Sequence, residues 1–138
     1  MSEDNQTQLN QAASTQQQPP ASEEAVAALV PATAVGLPPT AQTFFAVVNP
    51  DGSLARGFQA VSSQKLFGIT GFYEVIFSHD LTGSAFVASI GDSGSTVVPP
   101  GGEVSVVGRL GTPNGVFIAT RDSAGNFADR GFHLAVHS

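Results

Sequence analysis

The chain has 138 residues, which suits one domain of ordinary size, and it contains 15 Gly, 9 Pro and no Cys. The absence of Cys excludes disulfide frameworks and thiolate metal sites, and no apolar run reaches the ~18 residues of a membrane span. Eleven acidic residues oppose five basic ones, and the net charge of −6 argues against a protein that binds nucleic acid.

The first forty residues differ in composition from the rest of the chain. Residues 1–40 contain no aromatic residue and no Lys or Arg, whereas all ten Phe and the single Tyr lie in residues 41–138. A segment so poor in large apolar side chains cannot offset the entropy of ordering itself. We therefore expect a disordered, flexible N-terminal arm over 1–40 and a folded domain over 41–138.

One stretch of the arm has the pattern of a short helix. Ser22 can cap it, acidic residues follow in the first turn, and Pro31 ends it. Two interpretations stay open, a frayed linker or a helix that forms only when it docks on a partner subunit. The residues that would dock are Val26, Leu29 and Val30.

No leader sequence is expected at the start of the chain. No basic residue follows Met1, and the apolar stretch of the arm is short and interrupted by Pro31. These features predict synthesis in the cytoplasm without a cleaved signal peptide.

The domain reads as short strands separated by Gly- and Pro-containing turns. Strands are predicted over 43–49, 72–79, 84–90, 103–110, 115–122 and 132–137, and an irregular extended segment bent at Gly57 over 53–64. No useful helical periodicity occurs in 41–138. The pattern predicts an all-β fold, an antiparallel β-sandwich or jelly roll with a disordered N-terminal arm.

Several strands are apolar on both faces, which predicts a second buried surface. Tyr73, Val75 and Phe77 form one face of their strand, but the opposite face is also largely apolar. Exposed apolar patches of this size mark interaction sites, so we expect a homo-oligomer, most simply a homotrimer. The alternative is that one thick sandwich covers both faces. The candidate oligomer-interface residues are Phe45, Val47, Phe72, Glu74 and Ile76.

Two motifs resemble catalytic or metal sites, and neither supports one. The sequence Gly-Asp-Ser-Gly around Ser93 matches a serine-protease motif, but His79 and Asp80 are adjacent in a strand and would point to opposite faces. His133 and His137 would lie ~13 Å apart in a strand, too far apart for one metal ion. We expect no enzyme activity, no cofactor and no metal; a calcium ion bound by loop aspartates has no supporting pattern.

Nearly the whole domain resembles a family of small β-domains. The stretches that carry the resemblance are VVNPDGSLARG (47–57), GFYEVIFSHDLTGSAFVASIGD (71–92), VPPGGEVSV (98–106) and NGVFIATRDSAGNFADRGFHLAVHS (114–138). Such domains occur in uncharacterised bacterial proteins, notably actinobacterial ones, and are similar to the heads of phage fibres and collagen-like stalks. Relatives often have Cys where Ser84 and Ser138 stand, so any role for those thiols is absent here.

The resemblance implies a β-sandwich, often trimeric, that acts as a structural or recognition head. We therefore expect a non-enzymatic module that decorates or joins a larger protein assembly, such as a phage virion or an extracellular surface appendage, with the arm as its tether. The alternative function is a receptor- or glycan-binding head whose contact loops are 91–102 and 122–131.

Overall fold

A computed structural model describes residues 18–20 and 42–138. The second of these ranges folds into eight strands, and no helix lies within the two ranges. The six strands predicted singly are all present with ends within two residues of those expected, and the irregular segment divides into two. The strands are β1 (Thr43–Val48), β2 (Leu54–Phe58), β3 (Ala60–Lys65), β4 (Phe72–Phe77), β5 (Ala85–Ile90), β6 (Glu103–Gly108), β7 (Gly115–Arg121) and β8 (Phe132–His137).

The strands form two antiparallel sheets of four, which confirms the predicted all-β sandwich. Sheet A has the order β2-β1-β8-β5 and sheet B the order β3-β4-β7-β6. The chain crosses between the sheets after β2, β4, β5 and β7, so both sheets are built from strands distant in sequence. The first and last strands pair along their full length, from Thr43 opposite His137 to Val48 opposite Phe132.

The core lies between the sheets and follows from the alternation of apolar side chains. Three of the four central strands contribute three members each, and β7 contributes two. The members are Phe44, Ala46 and Val48 of β1, Tyr73, Val75 and Phe77 of β4, Phe132, Leu134 and Val136 of β8, Val116 and Ile118 of β7, and Leu81 of the β4–β5 loop. Burying each large side chain contributes roughly 1.5–3 kcal/mol.

The segment between β1 and β4 bends at a different residue from the one predicted. Gln59, between β2 and β3, has a φ of 63°, whereas the prediction placed the bend at Gly57. The Ser78 hydroxyl donates a hydrogen bond to the Gln59 side chain at 2.7 Å, and the Ser78 amide donates to its carbonyl at 2.9 Å, which holds Gln59 in this conformation. Gly57 serves close packing instead, because a Cβ there would lie 2.7 Å from the Phe45 carbonyl oxygen.

The outer face of sheet B is covered within the single chain along its two central strands, β4 and β7. Leu66, Phe72, Phe117 and Ala119 form a second buried cluster on this face. Phe127 of the β7–β8 loop packs edge-on against Phe72, with ring centroids 5.1 Å apart. This arrangement corresponds, for β4 and β7, to the alternative in which one sandwich covers both faces of its strands.

The outer face of sheet A is more open. Phe45, Ala135 and Val87 lie side by side across β1, β8 and β5, and Phe45 and Val87 are 41% and 59% exposed. Val47 lies on the same face of β1 but is only 4% exposed. Sheet A therefore presents a row of apolar side chains to the outside.

Candidate functional site

A buried ion pair lies on the outer face of sheet B, where that sheet meets the turn between β6 and β7. Arg109 Nε lies 2.8 Å from Glu74 Oε1, and the two side chains are 0% and 1% exposed. Gln64 of the neighbouring strand β3 donates from Nε2 to Glu74 Oε2 at 3.1 Å. An isolated buried charge destabilises a fold, so removing either side chain would leave the other as a costly buried charge.

The local sequence explains how Arg109 reaches this position. Arg109 follows the last residue of β6, and its amide donates to the Gly115 carbonyl at 2.9 Å, closing the turn. A Cβ at Gly115 would lie 2.8 Å from the Cβ of Arg109 and 3.1 Å from Cδ1 of Ile76. The absence of a side chain at Gly115 therefore lets the arginine lie flat across β7 and reach Glu74 on β4.

The guanidinium group also binds three residues from the N-terminal part of the chain. We call Gln18, Pro19 and Pro20 the strap. Arg109 Nη1 donates to Gln18 Oε1 at 2.8 Å and to the Pro19 carbonyl, and Nη2 donates to the Pro20 carbonyl. Arg109 thus joins the strap to Glu74 through a single side chain.

The side-chain amide of Gln18 completes the contact by pairing with the backbone of the turn. Its Oε1 accepts from the Leu110 amide at 2.7 Å, and its Nε2 donates to the Gly108 carbonyl at 3.1 Å. A carboxamide carries both a donor and acceptors, as a peptide group does, so it can bind both backbone groups at once. A carboxylate would lack the donor that the Gly108 carbonyl requires.

The chemistry of the strap and of Arg109 is complementary. Proline has no amide hydrogen, so Pro19 and Pro20 present carbonyl acceptors without competing donors. Arginine supplies five N–H donors in a fixed plane and no acceptor. Gln18 and Pro19 each precede a proline, which restricts their backbones to extended conformations and lowers the entropy lost on docking. The arrangement is suited to holding an extended chain.

The predicted interface residues do not come together on one surface. Phe45 and Val47 lie on the outer face of sheet A, whereas Phe72, Glu74 and Ile76 lie on that of sheet B. The sheet-B residues are 4%, 1% and 1% exposed in the single chain, and Glu74 is the partner of Arg109. The arm residues Val26, Leu29 and Val30 lie outside the described residues.

The protease-like residues are engaged in local contacts. His79 is buried and stacks on Phe44, with ring centroids 4.9 Å apart, and its Nδ1 lies 2.8 Å from the Ser78 hydroxyl. The Asp80 carboxylate accepts from the Thr82 amide at 2.8 Å, and this hydrogen bond lowers the pKa of Asp80. Ser93 accepts from Arg56 through its backbone carbonyl at 2.7 Å. His79 and Asp80 therefore have different hydrogen-bond partners, Ser78 and Thr82.

The two histidines of β8 lie on the outer face of sheet A and have different partners. His133 Nε2 lies 2.8 Å from the Asp92 carbonyl oxygen, and His137 Nδ1 lies 3.2 Å from the Thr43 hydroxyl. Within residues 18–20 and 42–138, no three His, Asp or Glu side chains are grouped so as to hold a metal ion.

Loop aspartates bind backbone amides and thereby fix turns. Asp51 accepts from the Ser53 hydroxyl and amide at 2.6 and 2.9 Å, and the hydroxyl contact is the main reason that the pKa of Asp51 is lowered. Asp122 accepts from the Asn126 and Ala124 amides at 3.0 and 2.9 Å, and its pKa is lowered chiefly by the first. These carboxylates are turn-forming groups.

Sequence reasoning missed Arg109, Gln64 and the strap. The available signal was Glu74, a charge in the middle of a strand that is apolar on both faces and therefore in need of a buried partner. Among the five basic residues, Arg109 lies near the end of the strand predicted over 103–110. The strap itself combined a carboxamide with two prolines, which is a common composition for a linker and gave no distinguishing signal.

No family model, curated protein or solved structure matched the chain. Within the described ranges, no helix is long and apolar enough to cross a membrane.

Proposed function

We propose that the chain is a non-enzymatic structural module, a homo-oligomeric and most simply trimeric β-sandwich that decorates or joins a larger protein assembly. The observation that carries this proposal is the docked strap, because a buried ion pair of the domain binds the chain's own N-terminal segment. A group of backbone carbonyls held by an arginine serves attachment rather than bond cleavage, since arginine supplies hydrogen-bond donors and no basic atom.

The segment before the domain acts as a tether in this proposal. Twenty-one residues separate Pro20 from Gln42, and the strap anchors the far end of that stretch to the domain. The strap itself lies beside the β6–β7 turn, bound to Arg109 and Leu110. The resemblance to heads of phage fibres and collagen-like stalks supports a virion or an extracellular appendage as the assembly, made in the cytoplasm before incorporation.

The proposed contact between copies is the outer face of sheet A. The row formed by Phe45, Ala135 and Val87 is apolar and partly exposed, whereas Phe72 and Ile76 on sheet B are covered within the chain. Phe45 and Val87 are already partly buried in the single chain, so covering the remaining 41% and 59% would contribute about 1 kcal/mol for each side chain per copy. The proposal therefore assigns self-association to sheet A.

Light scattering of the purified chain tests this assignment. The expected result is the mass of a trimer at micromolar concentration, and Phe45→Asp should weaken association at least tenfold because it places a charge in the contact. Val98→Asp is the matched control, because Val98 is 91% exposed on the β5–β6 loop, outside the row. A monomeric mass for the unmodified chain would refute the oligomer.

The absence of catalysis has its own test. Ser93→Ala should leave any measured ester or peptide hydrolysis unchanged, because His79 and Asp80 are bound to Ser78 and Thr82. Loss of turnover in this variant would overturn the non-enzymatic proposal.

A receptor- or glycan-binding head is the second candidate function. It is favoured by Val97 and Val98, which are 63% and 91% exposed within the 91–102 loop. Here Val98→Asp separates the two functions. If the chain is a binding head, the variant loses its receptor while assembly is intact; if it is a structural module, Val98→Asp assembles and attaches as the unmodified chain does.

A further inference from the structure

We propose that the Arg109 site binds Gln-Pro-Pro segments in trans, and that its partner is the strap of a second copy of this chain. The inference deepens the proposed structural function and rests on it. Arg109, the Leu110 amide and the Gly108 carbonyl together form the receptor, and Gln18, Pro19 and Pro20 form the ligand. Every copy carries both parts.

The contacts do not depend on which copy supplies the strap. All five hydrogen bonds join residues at least 89 positions apart in sequence, so none of them is enforced by local chain geometry. A strap from a neighbour would make the same bonds to the same atoms. Exchange of identical elements between copies therefore loses no contact.

The length of the intervening chain permits exchange. Residues 21–41 can span at most ~70 Å when fully extended. A domain of about 100 residues has a radius of gyration of only ~13 Å. The strap can therefore reach the site of an adjacent copy in a close-packed assembly.

Concentration decides between the two arrangements. A tethered ligand sees its own site at an effective concentration on the order of millimolar. In dilute solution the chain's own strap fills the site. When copies are packed side by side, neighbouring straps are present at comparable local concentration, and exchange then links one copy to the next.

Gln18 gives the site its selectivity among the Pro-Pro pairs of the chain. Pro38-Pro39 follows Leu37 and Pro99-Pro100 follows Val98, and neither leucine nor valine can bind the Leu110 amide and the Gly108 carbonyl. The site is thus specific for one of three Pro-Pro pairs, which fixes the register of the link.

A peptide experiment tests whether the site accepts a strap in trans. The acceptor is the full-length chain with Gln18, Pro19 and Pro20 all replaced by Ala, and the probe is a synthetic peptide of residues 14–24. We expect chemical-shift changes at Leu110 and Gly108 on titration, and at least tenfold weaker binding of the same peptide carrying Gln18→Glu. Equal binding of the two peptides, or none up to millimolar concentration, would overturn the proposal.

A mixing experiment tests whether a second copy supplies the strap. One chain carries the triple-alanine strap, and the other carries Arg109→Lys, which keeps the positive charge beside Glu74 but lacks the planar set of donors. Both also carry Phe45→Asp, which removes the proposed sheet-A contact so that association reports exchange alone. Circular dichroism melts verify that each variant is folded.

The mixture should form pairs that neither variant forms by itself. The mixed sample is measured at protein concentrations above the dissociation constant of the peptide. If it still shows only the masses of the separate chains, the second copy is not the partner. That failure is distinct from failure of the proposed function, which is judged by the mass of the unmodified chain. If Arg109→Lys fails to fold, the comparison of the two peptides still decides whether the site binds the strap in trans.

Discussion

Replacing Arg109 with Met should destabilise the protein strongly, because it leaves the Glu74 carboxylate without its arginine. The two side chains are 0% and 1% exposed and lie 2.8 Å apart, so water cannot replace the lost partner without opening the structure. Breaking a buried pair in this way costs about 3–5 kcal/mol. That is a large part of the 5–15 kcal/mol typical of a whole domain.

Urea denaturation followed by circular dichroism measures this effect. With a slope of about 1–3 kcal/mol per molar urea, the unfolding midpoint should fall by roughly 2 M. The matched control is the double variant Arg109→Met with Glu74→Leu, which removes both charges and should recover much of the loss. A midpoint shift below about 0.5 M for the single variant, or a double variant that is less stable still, would show that Glu74 does not depend on Arg109.

The remaining predictions concern other parts of the domain. Burial, helped by the charge of Asp129, raises the pKa of Tyr73 to about 12, so tyrosinate absorbance should titrate near pH 12. The stability that depends on neutral Tyr73 is present below about pH 10 and is lost as the pH rises from there. A tyrosinate titration with its midpoint near pH 10 would contradict this. Burial alone would raise the pKa of Asp129, but the hydrogen bond from Lys65 and that from the Gly71 amide outweigh it and lower the pKa. The stability that ionised Asp129 contributes is therefore present above about pH 4 and lost as the pH falls. When the urea midpoint is plotted against pH, Asp129→Asn should show a smaller fall at acid pH than the unmodified chain. The same fall in both proteins would contradict this. Phe67 has a φ of 51° and is 73% exposed, so Phe67→Gly should raise the free energy of unfolding by about 1 kcal/mol. Gly71→Ala should lower it, because Gly71 has a φ of 79° and a Cβ there would lie 2.5 Å from a carbonyl oxygen. Thermal melts that rank the two variants in the opposite order would contradict this.

The strands were predictable because each one carries its own signal. Alternating apolar residues in β8, which begins directly after Gly131, predict a strand whatever lies beside it. The apolar second faces of β4 and β7 were equally visible. What covers them was not, because Phe127 and Leu66 reach that surface from separate loops.

The candidate site was out of reach of sequence reasoning for a similar reason. Glu74 and Arg109 are 35 positions apart, and Arg109 and Gln18 are 91 apart. Which basic residue meets Glu74 depends on the pairing of β4 with β7 and on the path of the β6–β7 turn, and strand patterns alone do not determine either. The sequence places Glu74 on an apolar second face and so predicts an oligomer contact, whereas in the structure Glu74 pairs with Arg109 of its own chain.

Amide exchange at Leu110 is the most direct test of the docked strap. This residue is 48% exposed in a turn, and its amide donates to the Gln18 side chain at 2.7 Å. The neighbouring Arg109 amide donates to the Gly115 carbonyl and serves as an internal control. We expect slow exchange at Leu110 in the unmodified chain and at least tenfold faster exchange in Gln18→Ala, with the Arg109 amide unchanged. Exchange of the Leu110 amide at the rate of an unprotected turn in the unmodified chain would contradict this expectation.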